Sequence, residues 1–266
     1  MCSSFAWVCA QQSKCELYID AGTASSGGNP GLIVAVKCYD LQNFPAKLTI
    51  LKEIRKETLI HMSQSGTLLI ATGNRGKLKE FNEILSTFPI RLLNLTDFPG
   101  IAPVSEDGKT FVENALLKAR GYAGQAGILT LADDSGLEVD ALGGAPGVHS
   151  ARYAGENALD LERNKKLLDA LSLVKDDERT ARFVCALALV DASGDVLFVT
   201  TGTCEGRIST YPRGVRGFGY DPLFVPSGFV ETFGELDESV KDRISHRGRA
   251  LKSMCQYIAE NLDHMR

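Results

Sequence analysis

One stretch of the sequence, residues 67–81 (TLLIATGNRGKLKEF), combines residue types that can bind a phosphate group. Its apolar run ends near Thr72, and Asn74 is a favourable N-cap for a helix that follows directly. The unpaired N–H groups of a helix N-terminus attract anions, and Lys77 in the first turn adds a full positive charge. The GxxxxGK(S/T) spacing of a Walker A loop is absent. A capped helix with a solvated lysine explains the same residues without any ligand.

Two adjacent carboxylates, Asp133 and Asp134, end the apolar run ILTLADD, which is a predicted buried strand. Open α/β sheets place ligands at such strand ends, and a Mg²⁺ ion beside phosphates would offset the repulsion between two carboxylates. Adjacent strand residues face opposite ways, so at most one of the pair points into a given cleft unless the chain turns there. A β-turn over Asp-Asp-Ser-Gly is the alternative without a ligand, although the polar, glycine-rich continuation is long for a simple turn.

A third acidic region, SEDGKTFVENALLKAR, contains Glu106 and Glu113. Thr110 stands three residues before Glu113, which is the spacing of a helix capping box. Glu113 and Lys118 are five residues apart, too far for an ideal helical ion pair, so Lys118 is free to pair elsewhere. These residues admit both a structural and a functional interpretation.

Aromatic side chains interrupt the glycine-rich segment GVRGFGYDPLFVPSG, residues 214–228. Phe218 and Tyr220 are unfavourable to expose on such a loop, and stacking against a flat base is one reason for their presence there. Packing of the loop onto the core is the alternative.

A cluster of basic residues precedes the last predicted helix, within SVKDRISHRGRALK. It comprises Lys241, Arg243, His246, Arg247 and Arg249. Positive charge at a helix N-terminus opposes the helix dipole, so the cluster needs either a negatively charged partner or exposure to solvent. Ser245 is the expected N-cap of that helix.

Alternating strand and helix patterns separate and position these segments. Strands are predicted in TLLIAT, IRLLNL, ILTLADD, TARFVCALALVDA and DVLFVTTGTCEGRIS, and helices in GKLKEFNEILSTF, TFVENALLKARGYAGQAG, ALDLERNKKLLDALS and GRALKSMCQYIAENL. The last two strands flank the turn Ser193-Gly194 and form a hairpin, so the sheet cannot be purely parallel. The order β-α-β-α-β-α-β-β-α predicts an α/β fold with a mixed sheet.

Composition restricts the possible functions of this 266-residue chain. Its net charge of −4 provides no global basic field, so no nucleic-acid polymer is expected as a partner. No run reaches the ~18 apolar residues of a membrane span, and the N-terminus lacks a secretory signal, so we expect a cytoplasmic protein without a membrane partner. The seven cysteines show no CxxC pair and are expected to be reduced, with Cys185 and Cys204 in the core.

Four segments, TGNRGK, ADDSGLEVDALGGAPGVHSARYAG, FGYDPLF and ISHRGRALK, together resemble the inosine triphosphate pyrophosphatase family, also described as dITP/XTP or non-standard purine NTP pyrophosphatases. The resemblance begins at about Gly66 and extends to the C-terminus. It implies an elongated mixed β-sheet flanked by helices, with a deep central nucleotide-binding cleft. It also implies a homodimer that cleanses the nucleotide pool by Mg²⁺-dependent hydrolysis of ITP, dITP or XTP to the monophosphate and pyrophosphate.

The same resemblance implies roles for individual residues. Asp134 corresponds to the proton acceptor and a magnesium ligand, with Glu106 as a second metal-side carboxylate and Ser135 as a substrate contact. The phosphate-binding turn comprises Thr72, Gly73, Asn74, Arg75, Gly76 and Lys77. The base-binding loop comprises Phe218, Gly219, Tyr220 and Asp221, and the remaining substrate contacts are Lys241, His246 and Arg247.

Residues 1–61 depart from this family, because such proteins begin a few residues before the TGN turn and Met62 is a natural start. This front part contains four of the seven cysteines and the loose stretch DAGTASSGGNPG. We expect residues 62–266 to form the nucleoside triphosphate pyrophosphatase domain. Residues 1–61 are expected to be an N-terminal extension, either poorly ordered or a start-site artefact, and a small added domain is the alternative.

Selectivity is expected to depend on the 6-oxo group of hypoxanthine or xanthine, which accepts hydrogen bonds where adenine presents an amino donor. Donors from Lys241, His246 or Arg247 would pair with the oxo group and leave adenine unsatisfied. Guanine also carries a 6-oxo group, so rejection of GTP requires a clash or an unpaired polar contact at its 2-amino group. Two other hypotheses are a catalytically idle nucleotide sensor and a pyrophosphatase for modified pyrimidines or dTTP, of which the SHRG segment disfavours the second.

Overall fold

The structure is a computed structural model that describes residues 15–21, 32–38 and 66–262. The chain divides into two compact units, Met1–Ser63 and Gln64–Arg266. In the first unit, strands β1 (Cys15–Ala21) and β2 (Leu32–Cys38) pair antiparallel. The expectations for residues 1–61 and for a boundary at Met62 fall mostly outside the described residues, so they stay predictions.

The second unit is built on one six-stranded mixed sheet. Its strands are β3 (Thr67–Ala71), β4 (Arg91–Asn94), β5 (Leu129–Val139), β6 (Thr180–Val190), β7 (Val196–Ile208) and β8 (Phe224–Pro226). Their order is β4-β3-β5-β6-β7-β8. The pairs β3/β4 and β3/β5 are parallel, whereas the other neighbours are antiparallel. The predicted mixed sheet and the β6–β7 hairpin are confirmed.

Among the described residues, the second unit contains five α-helices. They are α1 (Arg75–Leu85), α2 (Phe111–Ala126), α3 (Asp160–Ala170), α4 (Glu238–Ile244) and α5 (His246–Asn261). Strand β8 and helix α4 were not among the predicted elements, because three strand residues and two helical turns produce too short a pattern to recognise.

Local sequence explains where the main helices begin. The side chain of Asn74 accepts hydrogen bonds from the backbone of Gly76 and Lys77, which confirms the predicted N-cap of α1. Thr110 and Glu113 form the predicted capping box of α2, and the helix closes on Gly127 in the left-handed conformation. Ser245 caps α5 by accepting a hydrogen bond from the Gly248 N–H.

The alternative of a β-turn over Asp-Asp-Ser-Gly is wrong, because this segment is part of strand β5. The strand continues through this segment to Val139 and stays paired with β6 along its whole acidic stretch. Gly136 lets the segment that contains Gly147 and Ser150 pack directly against this strand, since a Cβ atom at Gly136 would collide with Ser150 Oγ and would lie 2.5 Å from the Gly147 carbonyl oxygen. The two aspartates therefore face opposite sides of a continuous strand.

Both faces of the sheet are covered, as the alternation in β3 illustrates. Leu68 and Ile70 belong to a core cluster beneath α1 and α5, whereas Leu69 and Ala71 pack against α2 on the other side. A third cluster lies at the far end of the sheet, where α3 packs near β8. Cys185 and Cys204 are buried, as expected. No described helix has the length and apolar character needed to cross a membrane.

Candidate functional site

A cleft of about 610 Å³ is lined by the N-termini of α1 and α5, the middle of β5 and the loop at Phe218. This volume is in the range of ligand-binding sites in proteins. All the predicted site residues line it: Thr72, Gly73, Asn74, Arg75, Gly76, Lys77, Glu106, Asp134, Ser135, Phe218, Gly219, Tyr220, Asp221, Lys241, His246 and Arg247. The fold thus brings together residues that are far apart in the sequence, while their individual roles stay predictions.

The N-terminus of α1 forms one wall of the cleft. Asn74 Oδ1 lies 2.9 Å from the Gly76 nitrogen and 3.2 Å from the Lys77 nitrogen, and it accepts a hydrogen bond from each. Thr72 Oγ1 in turn accepts a hydrogen bond from the Asn74 N–H at 3.2 Å. The cap therefore occupies two of the helix N–H donors that could otherwise bind an anion. Anion binding at this wall then depends more strongly on the positive charge of Lys77.

Asp133 lies behind this wall, and its side chain is fully buried. Oδ1 of Asp133 forms an ion pair with Lys77 Nζ at 3.0 Å, and Oδ2 lies 3.5 Å from Arg247 Nε. The hydroxyl of Ser135 donates to Oδ2 at 3.0 Å. Burial alone would raise the pKa of Asp133, but Lys77, Arg247 and Lys118 outweigh it and hold the pKa well below its ordinary value. Asp133 is thus a permanent anion that holds two cations of the cleft.

Asp134 faces the cleft from the other side of β5. Its Oδ1 lies 3.0 Å from Lys118 Nζ, and its Oδ2 accepts a hydrogen bond from Asn114 Nδ2 at 3.2 Å. Lys118 also bonds Glu106 Oε2 at 2.6 Å, so its ammonium group bridges the two carboxylates. Burial raises the pKa of Asp134 above its ordinary value against the lowering effect of Lys118 and Lys77. The free lysine predicted from helix spacing therefore pairs with the acidic site.

The donor set of Glu106 and Asp134 fits a magnesium ion. Their carboxylate oxygens converge on one cation, the Lys118 ammonium, at 2.6 Å and 3.0 Å. Among the described residues no group of three or more His, Cys, Asp or Glu side chains gathers as a complete metal cage. Magnesium is commonly bound by one or two carboxylates together with substrate phosphates and water, so two carboxylates suffice.

The loop Phe218–Asp221 forms a further part of the cleft wall and is anchored at both ends. Asp221 Oδ2 accepts a hydrogen bond from the Phe218 N–H at 2.8 Å and bonds Lys241 Nζ at 2.7 Å. Gly219 N–H donates to Asp160 Oδ2 at 2.7 Å, and its carbonyl accepts from Asn164 Nδ2 at 3.0 Å. Because α3 contributes Asp160 and Asn164, this helix fixes the position of the loop.

The two aromatic residues of the loop have different environments. Phe218 is half-buried and lies against the first turn of α1, where a Cβ atom on Gly76 would be 2.6 Å from its ring. Lys241 Nζ lies 4.8 Å from the ring centroid, within cation–π distance. Tyr220 is buried in the third core cluster, at the far end of the sheet, and its hydroxyl donates to the Ser150 carbonyl at 2.9 Å. Of the two, Phe218 therefore presents the more accessible ring to a ligand in the cleft.

Lys241 and Arg247 of the basic cluster form ion pairs with carboxylates of the protein itself. Lys241 bonds Glu80 at 3.3 Å in addition to Asp221, and Arg247 also forms an ion pair with Glu80. Arg247 Nη2 donates to Ser135 Oγ at 2.9 Å. Burial and the nearby cations Arg247 and Lys241 lower the pKa of His246 well below its ordinary value, so its ring is neutral near pH 7.

Four residues that organise the site were not among the predicted site residues: Glu80, Asn114, Lys118 and Asp133. The sequence offered a signal for each of them. Asp133 adjoins Asp134, and Lys118 lacks an ideal helical partner, while Glu80 is three residues after Lys77 and Asn114 four residues before Lys118 on the same helix faces. Two members of the predicted basic cluster, Arg243 and Arg249, do not line the cleft. Arg249 instead bonds the Thr203 carbonyl at 2.8 Å.

Comparisons with known proteins agree with this geometry. The Ham1 family matches residues 68–257. A dITP/XTP pyrophosphatase from Desulforamulus reducens is 49% identical over 191 residues, covering 72% of this chain and 94% of the relative. A protein of the same name from Geobacter sulfurreducens is 53% identical over 191 residues, covering 72% and 96%.

A solved structure supports the same relationship. The structure of a HAM1 protein from Coxiella burnetii matches with a TM-score of 0.68 and 44% sequence identity. The match covers 73% of this chain and 98% of that protein. The resemblance inferred from the sequence motifs is confirmed, and the chain belongs to the Ham1 family.

Proposed function

We propose that this protein hydrolyses non-standard purine nucleoside triphosphates, namely ITP, dITP and XTP, to the monophosphate and pyrophosphate with the help of Mg²⁺. The main observation in favour is that a single cleft combines a helix N-terminus with Lys77, the carboxylates of Asp134 and Glu106, and an aromatic and cationic wall at Phe218 and Lys241. Relatives at 49% and 53% identity are named dITP/XTP pyrophosphatases, which supports the same substrate class.

In this proposal the triphosphate lies along the wall formed by residues 72–77. The charge of Lys77 and the remaining donors of the α1 N-terminus bind its oxygens. Ser135, which already exchanges hydrogen bonds with Asp133 and Arg247, is positioned beside the same wall and can contact the substrate. Asp133 keeps Lys77 and Arg247 in place before any ligand arrives, so little reorganisation is needed on binding.

The reaction itself is assigned to Asp134. Glu106 and Asp134 would hold the magnesium ion, which supplies positive charge against the charge that develops on the phosphates. Asp134 orients the attacking water and accepts its proton, while the water oxygen bonds to the α phosphorus. The anhydride P–O bond then breaks, and its electron pair leaves with pyrophosphate. The raised pKa of Asp134 in the ligand-free protein is compatible with a proton acceptor.

The purine ring is assigned to the wall formed by Phe218, with which it can stack. Lys241 and Arg247 are oriented by Glu80, so their remaining N–H groups are fixed donors for a 6-oxo acceptor. Adenine would present its amino donor to these donors and leave a buried group unpaired. The neutral ring of His246, stacked at 4.7 Å on Phe183, supplies a further polar atom at the same place.

The proposal also includes the organisation of the protein. Residues 62–266 form the catalytic domain, which is supported by the family match over residues 68–257. A homodimer is proposed from the motif resemblance, and the cytoplasmic location stays the expectation drawn from the sequence. Residues 1–61 are proposed to be an extension that the reaction does not require, and truncation to Met62 with unchanged turnover is the expected outcome.

Pyrophosphate release from a panel of nucleotides tests the proposal. ITP, XTP, dITP, GTP, ATP and dTTP are compared with and without Mg²⁺ at equal concentration. Turnover of ITP and XTP far above that of ATP, and only with Mg²⁺, is expected. Equal turnover of ATP and ITP would contradict the proposed selectivity, and preference for dTTP would indicate a pyrimidine enzyme. Binding of ITP without pyrophosphate release would indicate a nucleotide sensor.

A further inference from the structure

Asn114 lies behind the acidic site and does not line the cleft. Its side chain is 1% exposed, and it joins two segments that carry the proposed metal-binding carboxylates. Asn114 Nδ2 donates to Asp134 Oδ2 at 3.2 Å on β5, while Oδ1 accepts from the Gly108 N–H at 2.8 Å. Gly108 stands two residues after Glu106. One buried amide therefore connects the backbone of the Glu106 loop with the carboxylate of Asp134.

The orientation of this amide follows from its partners. The Gly108 N–H can only donate, so the carbonyl oxygen of Asn114 must face it. The amide NH₂ group then faces Asp134, which accepts as a carboxylate. Neither an aspartate nor an aliphatic residue at position 114 can make both bonds, because the first lacks the donor and the second lacks both groups.

The Glu106 loop also makes contacts that do not involve Asn114. The Arg152 side chain donates to the Glu106 carbonyl at 3.4 Å, and the Val104 N–H donates to the Tyr122 hydroxyl at 3.4 Å. The Lys109 and Thr110 N–H groups donate to Glu113 Oε2 at 2.6 Å and 3.2 Å, which anchors the loop to the start of α2. Close approach of the loop to Asn114 requires Gly108, since a Cβ atom there would lie 2.7 Å from Asn114 Oδ1. The loop is therefore held against α2, and Asn114 is a neutral side chain that connects it to β5.

We propose that Asn114 is a positioning residue that sets the separation of the Glu106 and Asp134 carboxylates, and through it the affinity for the divalent cation. The inference rests on the proposed function, because it assigns the cation to these two residues. Lys118, one helical turn further on the same face of α2, bridges the same carboxylates by charge but can be displaced from them by a metal ion. Asn114 is neutral and bonds behind the site, so it can keep its partners when a cation is bound.

Mn²⁺ binding to the nucleotide-free full chain, followed by electron paramagnetic resonance, tests the inference without turnover. Loss of a hydrogen-bond partner behind a metal ligand commonly weakens metal affinity about 10-fold or more, and Asn114→Ala is expected to do so. In turnover assays the Mg²⁺ concentration for half-maximal ITP hydrolysis should rise similarly. The KM for ITP at saturating Mg²⁺ should stay within about twofold of the wild type, because the substrate contacts are intact.

Two further variants keep the test decisive if Asn114→Ala folds poorly. Gly108→Ala keeps the Asn114 side chain, but the new Cβ would lie 2.7 Å from both Asn114 Oδ1 and Glu113 Cβ, so the loop must move away from the Asn114 carbonyl. It should weaken Mn²⁺ binding in the same direction. Asn164→Ala is the matched control, since Asn164 is also buried but bonds the Gly219 carbonyl instead of a carboxylate. Its Mn²⁺ affinity should equal that of the wild type.

The outcomes separate the two proposals. Wild-type affinity for Mn²⁺ in both Asn114→Ala and Gly108→Ala, with ITP turnover intact in the wild type, overturns the positioning role and leaves the proposed function standing. Failure of the wild type to release pyrophosphate from any purine nucleotide overturns the proposed function, and the positioning role with it.

Discussion

The ammonium nitrogen of Lys118 lies 3.0 Å from Oδ1 of Asp134, and both side chains are almost completely buried. The pair is the centre of the acidic site, since the same nitrogen bonds Glu106. Two carboxylates and one ammonium group thus share a region of low solvent access. Burial lowers the pKa of Lys118, but the attraction of Asp134, Asp133 and Glu106 outweighs burial and raises it, so the lysine is charged at neutral pH.

Replacing Lys118 with methionine is predicted to reduce both stability and activity. The change leaves Asp134 without its ion-pair partner, and breaking such a buried pair costs about 3 kcal/mol. Lys118 lines the cleft beside the proposed metal-binding carboxylates, and loss of its charge should lower kcat/KM for ITP about 100-fold. Urea unfolding and pyrophosphate release measure the two effects.

Lys165→Met is the matched control for Lys118→Met. Lys165 pairs with Asp169 at 2.7 Å on α3, but both side chains are exposed, so its loss should cost less than about 0.5 kcal/mol. Equal destabilisation by the two substitutions would show that burial of the Lys118 pair has no energetic importance.

Replacing Gly76 with alanine is predicted to displace the ring of Phe218. The new Cβ would lie 2.6 Å from the ring, so the ring must leave its place at the wall proposed to bind the base. We expect about a 10-fold loss of kcat/KM for ITP, equivalent to about 1.4 kcal/mol of transition-state stabilisation, mainly through a higher KM. Steady-state kinetics at saturating Mg²⁺ measure it.

Gly124→Ala controls for the gain in helix propensity. Gly124 lies in α2, and a Cβ atom at this position would meet no neighbouring atom within 4 Å. Alanine there should stabilise the protein by roughly 0.5–1 kcal/mol without changing KM. A wild-type KM in Gly76→Ala would rule out the assigned role of the Phe218 wall.

Protonation of His246 is predicted to make stability depend on pH between pH 7 and pH 5. The folded-state pKa is lowered by burial and by Arg247, Lys241 and Lys77, against the opposing effect of Asp133. The unfolded chain therefore binds a proton near pH 6.5 that the folded protein does not, and stability falls as the pH falls below that value.

Comparison with His246→Asn isolates this contribution from those of Asp134 and Asp221, whose raised pKa values act in the opposite direction. Between pH 6 and pH 5 the wild type should lose up to about 1.4 kcal/mol more stability than the variant per pH unit, which corresponds to one proton. Urea unfolding at pH 5, 6 and 7 measures the difference. Parallel pH profiles would mean that His246 titrates normally in the folded protein.

Much of the fold follows from local sequence signals. The caps at Asn74, Thr110 and Ser245 lie within a few residues of the donors that they satisfy, so spacing alone predicts them. The β6–β7 hairpin follows from two strand patterns joined by a short turn. By contrast, β5 continues through Asp133 and Asp134 because its pairing with β6 overrides the local turn preference.

The ion pairs that organise the site could not be predicted in the same way. Glu80 and Lys241 are 161 residues apart, and only the packing of α1 beside α5 and α4 brings their side chains together. The Glu80 carboxylate offsets part of the positive charge that precedes the last helix. The sequence therefore predicted the need for a negative partner, and the fold determines which carboxylate supplies it.

The most direct test of the proposed reaction is the identity of its products. Phosphorus-31 NMR of ITP incubated with the wild-type protein and Mg²⁺ should show inosine monophosphate and pyrophosphate, and Asp134→Asn should reduce the rate by about 10²- to 10⁴-fold while melting cooperatively. Formation of inosine diphosphate and free phosphate, or unchanged turnover in Asp134→Asn, would contradict the account.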